Sequence, residues 1–150
     1  MTNPLTTTDE IETMGFAKVG DWSLCQSRSD KGGVDCKRRS PADPQPCVYL
    51  VVSETAGAAE VLYVGMGSNG WWRRIRMHLG NWDRPFHTII AERLGAGARV
   101  STYWKTSDWL TIHDRRTSLC GAEEMALIAR FQPLLNASKD KKRTAEWQKA

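Results

Sequence analysis

The sequence predicts an α+β fold in which helices flank a small three-stranded antiparallel sheet. Two β-rich runs, "CVYLVVSE" at 47–54 and "EVLYVG" at 60–65, are joined by a short glycine-containing segment, which is typical of a hairpin. Helical periodicity follows, and the alternating stretch "ARVSTYWK" at 98–105 predicts a third strand before a last helix. The order β-β-α-α-β-α therefore indicates a sheet with helices packed against it.

The periodicity after the hairpin predicts two consecutive helices. In the first, Trp72, Ile75 and Leu79 recur at i, i+3 and i+7 as a core stripe. Its other tryptophan, Trp71, is expected either in the core or against a sugar or an unpaired base. The second helix lies within "DRPFHTIIAERLGAG" at 83–97, which has a proline in its first turn and a glycine stop.

A chain of 150 residues predicts one domain with a single core. Residues 1–14 are expected to form a flexible N-terminal tail, and residues 139–150 a basic C-terminal tail. The domain between them, 15–138, includes a predicted edge strand at 19–24 and a long loop at 28–46 rich in Gly, Pro and charge. Loops of this length are usually functional or disordered.

The composition is typical of an ordinary globular protein. Hydrophobic residues make up 41% of the chain and charged residues 25%. No apolar run approaches the roughly 20 residues that a membrane span requires. The first residues carry acids and threonines where a signal peptide needs a basic and an apolar segment. We therefore expect a cytoplasmic protein with no membrane partner.

The cysteines are predicted to be free thiols. Cys25, Cys36, Cys47 and Cys120 lack the C-x-x-C spacing of zinc sites and the density of a disulfide scaffold. Buried thiols of this kind behave as small hydrophobic side chains.

The positive charges are clustered. The net charge is only +4, but cations adjoin one another in the loop, in the first helix and before the last helix. Such clusters suit a polyanion, although charge runs are also common on solvated surfaces. The residues expected to contact nucleic acid are Lys37, Arg38, Arg39, Arg73, Arg76, Arg115 and Arg116.

The hexapeptide "GMGSNG" at 65–70 has glycines in the G-x-G-x-x-G order of a dinucleotide-binding turn. That motif requires a buried parallel strand before the turn and an acid at the end of the next strand. Here the preceding strand belongs to a hairpin, and Asp83 follows "GNW" with no apolar strand before it. A nucleotide cofactor is therefore not expected.

Four short motifs combine tyrosine, arginine, histidine and glutamate: "VYL" at 48–50, "YVG" at 63–65, "RIRMH" at 74–78 and "EMALIARFQPLLN" at 124–136. Together they resemble the GIY-YIG nuclease superfamily, and the first two are similar to its paired GIY and YIG tripeptides. "RIRMH" at 74–78 is similar to the arginine and histidine of the helix that follows YIG, and "EMALIARFQPLLN" at 124–136 is similar to a later glutamate helix. The motifs stand in the family's order between about residues 47 and 136.

The resemblance implies a DNA endonuclease that uses one divalent ion, Mg²⁺ or Mn²⁺, at its site. It implies six site residues: Tyr49, Tyr63, Arg74, His78, Glu124 and Asn136. Of these, His78 is expected to relay a proton or bind phosphate, and Asn136 to hold the site together through hydrogen bonds.

The chemistry of the other residue types fits phosphodiester hydrolysis. Glu124 is the expected metal ligand, since Mg²⁺ is often held by one or two carboxylates together with water and substrate phosphate. The rigid fork of Arg74 suits the charge that develops on phosphoryl oxygens. Tyr49 is the candidate general base, and Tyr63 is able to share or exchange that role.

The sequence departs from the family pattern at several positions. Cys47 stands where the first motif has glycine, and Met66 follows "YVG" where many members keep a lysine. One extra residue in the turn makes Arg73 an alternative to Arg74, which we prefer because it shares a helical face with His78. Without the resemblance, the tyrosines would be taken for half-buried strand aromatics and Glu124 for a residue favoured by the helix dipole.

We expect a small stand-alone, restriction-like DNA endonuclease. The loop at 28–46, the segment 107–118 and the basic tail are then the available readers of the substrate. Cutting both strands requires a homodimer or two successive nicks. The alternative is a catalytically silent nucleic-acid-binding module of the same fold, which would not need both tyrosines, the arginine and the glutamate.

Overall fold

The computed structural model describes residues 5–25, 33–39, 41, 43–80 and 84–136. Within these ranges the strands are β1 (Leu5–Thr7), β2 (Ala17–Leu24), β3 (Val34–Arg38), β4 (Cys47–Thr55), β5 (Ala58–Gly67), β6 (Arg99–Thr106), β7 (Trp109–Ile112) and β8 (Arg115–Ser118). The helices are α1 (Thr8–Thr13), α2 (Trp71–Gly80), α3 (Arg84–Gly95) and α4 (Cys120–Phe131), followed by a short 3-10 helix at Leu134–Asn136. The predicted α+β class is confirmed.

The main sheet is larger than predicted. In the described residues it has six antiparallel strands in the order β1-β5-β4-β6-β2-β3, and β7 and β8 form a separate hairpin. The predicted strands β4, β5 and β6 make its centre. The predicted edge strand is β2, but it is paired on both sides, with β6 and with β3. The prediction of three strands was too low because β1 and β3 are short. A short strand is identified by the strand with which it pairs rather than by the periodicity of its own residues.

Two segments expected to lack regular structure contain it. In the predicted tail, β1 pairs with β5 and the side chain of Ile11 on α1 is fully buried. In the predicted loop, β3 pairs with β2 and buries Val34 and Cys36 in alternation with exposed residues. A few buried side chains anchor each segment, too few to give a periodic signal. The rest of that loop at 28–32, Asp83 and the tail at 139–150 lie outside the described residues.

The two faces of the sheet are covered by different helices. Trp71 and Ile75 of α2 and Phe86 and Ile90 of α3 belong to the core on one face. On the opposite face the core includes α1 and the apolar side of α4, with Leu127, Ile128 and Phe131. We call these the α2–α3 face and the α4 face.

A bulge in β5 decides which residues share a face. Val51 pairs with Tyr63 but Val52 pairs with Val61, so Leu62 is the extra residue. Regular alternation along β4 and β5 predicts that Tyr49 and Tyr63 share a face, and both do belong to the core of the α2–α3 face. The same alternation predicts that Val61 lies on that face too, which is wrong, because the bulge turns Val61 to the α4 face.

The four cysteines form no disulfide, as predicted. Burial raises the pKa of the Cys36 and Cys47 thiols to about 12, which keeps both protonated at neutral pH. No helix in the described part of the chain is long and apolar enough to cross a bilayer.

Candidate active site

The candidate site lies at one end of the sheet. Tyr49 near the start of β4 pairs with Gly65 near the end of β5, and α2 begins a few residues later. The chain before β4 closes over the same turn, because a Cβ on Gly70 would overlap the carbonyl oxygen of Asp43. Gly70 also has φ +93°, a conformation that favours glycine. The hexapeptide at 65–70 is therefore a turn whose glycines allow backbone segments to approach each other.

Gly65 creates the space that Tyr49 fills. A Cβ built at Gly65 would overlap the tyrosine ring and its hydroxyl, and the Tyr49 side chain is fully buried. The next turn glycine, Gly67, lies against the Gly70 carbonyl and against Cγ of Arg74. The glycine of the "YVG" motif thus has a steric role: it lets the tyrosine of the neighbouring strand lie across the backbone.

Aromatic rings connect Tyr49 to α2 and α3. The ring centroids of Tyr49 and Tyr63 are 6.0 Å apart, and Tyr63 meets the His78 imidazole edge to face at 5.2 Å. His78 in turn stacks on Phe86 at 4.4 Å with an interplanar angle of 8°. The structure therefore brings together three of the predicted residues, Tyr49, Tyr63 and His78, and Phe86 fixes the plane of the imidazole.

Arg74 acts on the Tyr49 hydroxyl. Burial raises the pKa of Tyr49 well above its ordinary value and the adjacent Tyr63 raises it further, whereas the Arg74 guanidinium opposes both effects. The hydroxyl is nevertheless buried without a well-aligned hydrogen bond to a described residue. Tyr49 is therefore a neutral phenol at neutral pH, with a cation beside it that favours its ionised form. Arg74 itself is exposed at the surface, where it can reach a substrate.

Glu124 is a buried residue of α4, the helix that covers the α4 face. Its side chain is only 7% exposed and stands three to seven residues before the buried apolar residues of that helix, so the acid heads an apolar stripe. The first turn of α4 lies beside the end of β5, because a Cβ on Gly121 would be 3.7 Å from the Met66 sulfur. Met66 directly follows Gly65. The start of α4 and the tyrosines thus lie on opposite faces of the same end of the sheet.

The donor set limits the kind of metal that this region can hold. Within the described ranges there is no group of three or more His, Cys, Asp or Glu side chains able to hold a metal ion. A tetrahedral zinc site needs three or four such ligands. A single buried carboxylate, Glu124, fits instead a hard ion such as Mg²⁺ or Mn²⁺ that keeps several waters and binds substrate phosphate.

Asn136 supports the strand that carries Tyr63 and Gly65. Its amide oxygen accepts a hydrogen bond from the Val64 N–H at 2.8 Å, and its amide nitrogen donates to the Val64 carbonyl at 2.9 Å. Asn136 is 1% exposed. The side chain therefore makes the two backbone hydrogen bonds that a neighbouring strand would make with Val64. The described pairing of β1 with β5 covers residues 58–60 and does not extend to Val64.

The predicted nucleic-acid contacts are exposed but lie in three places. Lys37, Arg38 and Arg39 lie at or just after the edge strand β3, Arg73 and Arg76 on α2, and Arg115 and Arg116 on β8. Three are engaged with other described residues: Arg39 forms a double hydrogen bond with Asp21, the Arg38 guanidinium lies 5.4 Å from the Trp72 ring, and the Arg116 guanidinium lies 4.4 Å from the Trp109 ring. Trp71 is 2% exposed and belongs to the core, so Trp72 is the partly exposed tryptophan.

Sequence reasoning missed the steric role of Gly65, the contact of Phe86 with His78, and the hairpin that β7 and β8 form within the segment 107–118. Phe86 belongs to the core, and nothing in the spacing of Phe86 and His78 shows that the two rings stack across separate helices. The sequence pattern of Gly65 indicates only that it lies toward the end of a strand. Its steric role depends on the register of β4 and β5, which "VYL" and "YVG" indicate only indirectly.

Comparisons with known proteins bear on the fold. No protein-family model matches the sequence, and no curated protein matches it. Among solved structures, a glutamate-to-alanine variant of bacteriophage T4 EndoII matches with a TM-score of 0.62 and 18% identity. The match covers 86% of this chain and 98% of the EndoII chain. EndoII is a GIY-YIG nuclease, and the GIY-YIG-like fold that the motifs indicated is therefore confirmed.

Proposed function

We propose that this protein is a metal-dependent endonuclease that hydrolyses phosphodiester bonds of DNA. The observation that carries the proposal is the arrangement of Tyr49, Tyr63 and His78 in ring contact, with Arg74 beside the Tyr49 hydroxyl. The cluster lies at the end of a sheet whose fold is that of a DNA-cutting enzyme. Binding alone would not require a buried tyrosine next to an arginine.

Arg74 binds and stabilises the reacting phosphate in this proposal. Its guanidinium is always charged and presents several N–H donors in a fixed plane, which match phosphoryl oxygens. The charge that develops in the transition state is met by donors already in position. Arg73 is on the same helix, but neither the Gly67 contact nor the effect on Tyr49 involves it.

Tyr49 is our candidate for the general base. It must lose its proton to act on water, and burial opposes that loss. The base is therefore the small ionised fraction of Tyr49: its proton passes to solvent before the reaction, the positive charge of Arg74 favours the phenolate, and the phenolate then accepts the proton of the attacking water. Tyr63 is in ring contact with Tyr49 and is the alternative base.

Glu124 is proposed to hold the divalent ion. When bound, such an ion polarises the phosphate and assists departure of the leaving oxygen. His78 is held by Phe86 and Tyr63, so it can donate to a phosphate oxygen from a fixed orientation. Asn136 keeps the Val64 backbone, and with it Tyr63 and Gly65, in place.

The proposal is tested by cleavage of supercoiled plasmid and of labelled duplex and single-stranded oligonucleotides. We expect cutting with Mg²⁺ or Mn²⁺ and none with a chelator. Glu124→Gln is expected to lower the single-turnover rate about a thousandfold, or ~4 kcal/mol, because it removes the carboxylate that holds the ion.

Glu92→Gln is the matched control, since Glu92 is an exposed acid on α3 outside the site. Undiminished cutting by Glu124→Gln would refute the metal role. DNA binding without any cutting by the unaltered protein would favour the catalytically silent module. Direct conversion of supercoiled plasmid to linear DNA, without a nicked circular intermediate, would indicate that two chains act together as a homodimer.

A further inference from the structure

The hairpin of β7 and β8 is an exposed arm between the sheet and α4. In the part of the chain that the structure describes, its strands pair only with each other, so each has one edge without a partner strand there. Trp109, Leu110 and Ile112 are 39%, 52% and 43% exposed, which is high for large apolar side chains. A lone two-stranded hairpin is marginally stable in water. Exposed apolar residues on such an element indicate an interaction surface.

Hydrogen bonds and ion pairs fix the base of this arm. The hydroxyls of Ser107 and Ser118 lie 2.7 Å apart, and the Leu119 N–H donates to the Asp108 carbonyl at 2.9 Å. Glu123 accepts from the Asp108 N–H at 2.8 Å and pairs with Lys105 at 2.6 Å. The arm is therefore anchored to α4 at the residue before Glu124.

The arm also starts at the same end of the sheet as the candidate site. The last residue of β6, Thr106, pairs with Cys47, which also pairs with Gly67 of the glycine turn. The Ser107 N–H then donates to the Pro46 carbonyl at 2.9 Å, directly before β4. The root of the arm and the glycine turn therefore lie at the same strand ends.

Each face of the arm combines apolar and cationic side chains. On one face the Arg116 guanidinium lies 4.4 Å from the Trp109 ring. On the other, Arg115 is paired with Ile112, and Leu110 is on the same side. His113 and Asp114 form the tip with φ values of 49° and 60°, typical of the tight turn that matches strand twist.

We propose that this arm, residues 109–118, inserts into a groove of duplex DNA and makes duplex DNA the preferred substrate; this inference rests on the proposed endonuclease function. A major groove about 12 Å wide and 8.5 Å deep admits a two-stranded ribbon. Four residues per strand at about 3.3 Å each give an arm roughly 13 Å long, enough to reach the base edges. Arg115 and Arg116 then contact phosphates at the groove walls.

The charge favours DNA over a second copy of the chain. A twofold interface formed by the Leu110 face would bury Arg115 of both copies together, and burying like charges is costly. The arm's single acid, Asp114, is at the tip. Phosphates supply the negative charge that Arg115 and Arg116 need.

DNA binding is measured in the presence of a chelator, so that the DNA is not cut during the experiment. Fluorescence anisotropy gives Kd for a random-sequence duplex and for a single strand of equal length, across a series of salt concentrations. The double variant Arg115→Ala/Arg116→Ala is expected to raise the duplex Kd at least tenfold and to lower the salt slope by about two. The double variant Leu110→Ser/Ile112→Ser is expected to raise the duplex Kd about fivefold and to leave the salt slope unchanged. In both double variants the Kd for the single strand should change less than twofold.

Arg99→Ala and Leu5→Ser are matched controls. Both residues are exposed and lie toward the opposite end of the sheet, and both variants should change Kd less than twofold. Equal affinity of the arm variants and the unaltered protein for duplex DNA would overturn the proposal, even if the enzyme cuts. Selective loss of duplex binding would support it even if no cutting is ever seen, in which case only the endonuclease function fails.

A photo-crosslinking amino acid in place of Thr111 provides a second measurement that does not depend on affinity. We expect a covalent adduct with duplex DNA that unlabelled duplex suppresses. Crosslinking to a second protein chain instead, together with an arm variant that shifts a dimer to monomer in sedimentation, would assign the arm to an interface between copies and overturn the proposal.

Discussion

The two faces of the sheet differ in what their side chains can do. On the α2–α3 face, Tyr49, Tyr63, His78 and Phe86 form a continuous series of ring contacts that includes two hydroxyls and an imidazole. The α4 face is filled mainly by branched aliphatic side chains: Ile11, Val48, Leu50, Val52, Val61, Val64, Leu127 and Ile128. Rings in contact hold polar groups in fixed orientations, whereas aliphatic packing supplies only stability.

The difference indicates a division of labour across one sheet. The α4 face is a platform that keeps Glu124 at the sheet end, and the α2–α3 face carries the groups proposed to act on substrate. Changes to the polar groups of the ring cluster on the α2–α3 face should therefore alter rate more than stability, and changes to the aliphatic packing of the α4 face should do the reverse.

The largest effect is expected from Tyr49→Phe, which removes one oxygen and leaves the ring over Gly65. If Tyr49 is the base, the single-turnover rate should fall about a thousandfold, within the range of general-base effects. Because its pKa is raised, the ionised fraction at neutral pH is small and grows tenfold per pH unit. The rate of the unaltered protein should therefore rise steadily between about pH 6 and 9.

Tyr63→Phe separates the two tyrosines. It should leave the pH slope in place, whereas Tyr49→Phe should abolish it. The reverse pattern, with the slope lost only in Tyr63→Phe, would move the base role to Tyr63.

Arg74→Ala should lower the rate about a hundredfold, or ~2.7 kcal/mol, which is typical for loss of one donor to a developing oxyanion. Arg73→Ala is the matched change on the same helix and should affect DNA affinity but not the single-turnover rate at saturation. Both arginines are exposed, so neither variant should change the melting temperature much. A larger loss of rate in Arg73→Ala than in Arg74→Ala would mean that the extra turn residue had shifted the catalytic role to Arg73.

Much of this division was visible in the sequence. The alternation in β4 and β5 was enough to predict that Tyr49 and Tyr63 share a face, and helix periodicity predicted that Glu124 precedes a buried stripe. Both follow from local geometry, because the side-chain period of a strand or helix is fixed by its backbone.

Features that depend on register or on partners were not visible. A helix face centred on Trp71 and Ile75 is rotated by about 50° from the predicted stripe of Trp72, Ile75 and Leu79. The bulge at Leu62, which moves Val61 to the α4 face, is defined by how β4 and β5 pair and cannot be identified from either strand alone. The arm at 109–118 buries little, so it leaves no hydrophobic pattern.

Gly65→Ala tests the comparison of the two faces at a backbone position. A methyl group there overlaps the Tyr49 ring, which is fully buried, so we expect a loss of about 1–3 kcal/mol in the free energy of unfolding. Displacement of the ring should also lower the cleavage rate of the folded protein. Gly95→Ala is the control, since a Cβ at Gly95 meets nothing within 4 Å and its change should stay near 0.5 kcal/mol or less. A Gly65→Ala protein as stable as Gly95→Ala would show that Tyr49 has room to move.

The smallest effect is expected on the α4 face, from Ile128→Val. Ile128 is buried one turn after Glu124, and loss of one methyl group from the core should lower the free energy of unfolding by about 1 kcal/mol in urea titrations. The cleavage rate, measured well below the melting temperature, should stay within about twofold, because the platform still presents Glu124 from the same helix. A rate that fell tenfold with so small a loss of stability would mean that packing under α4 sets the position of the carboxylate. The two faces would then act as one unit, and the aliphatic side would share in catalysis through the helix it supports.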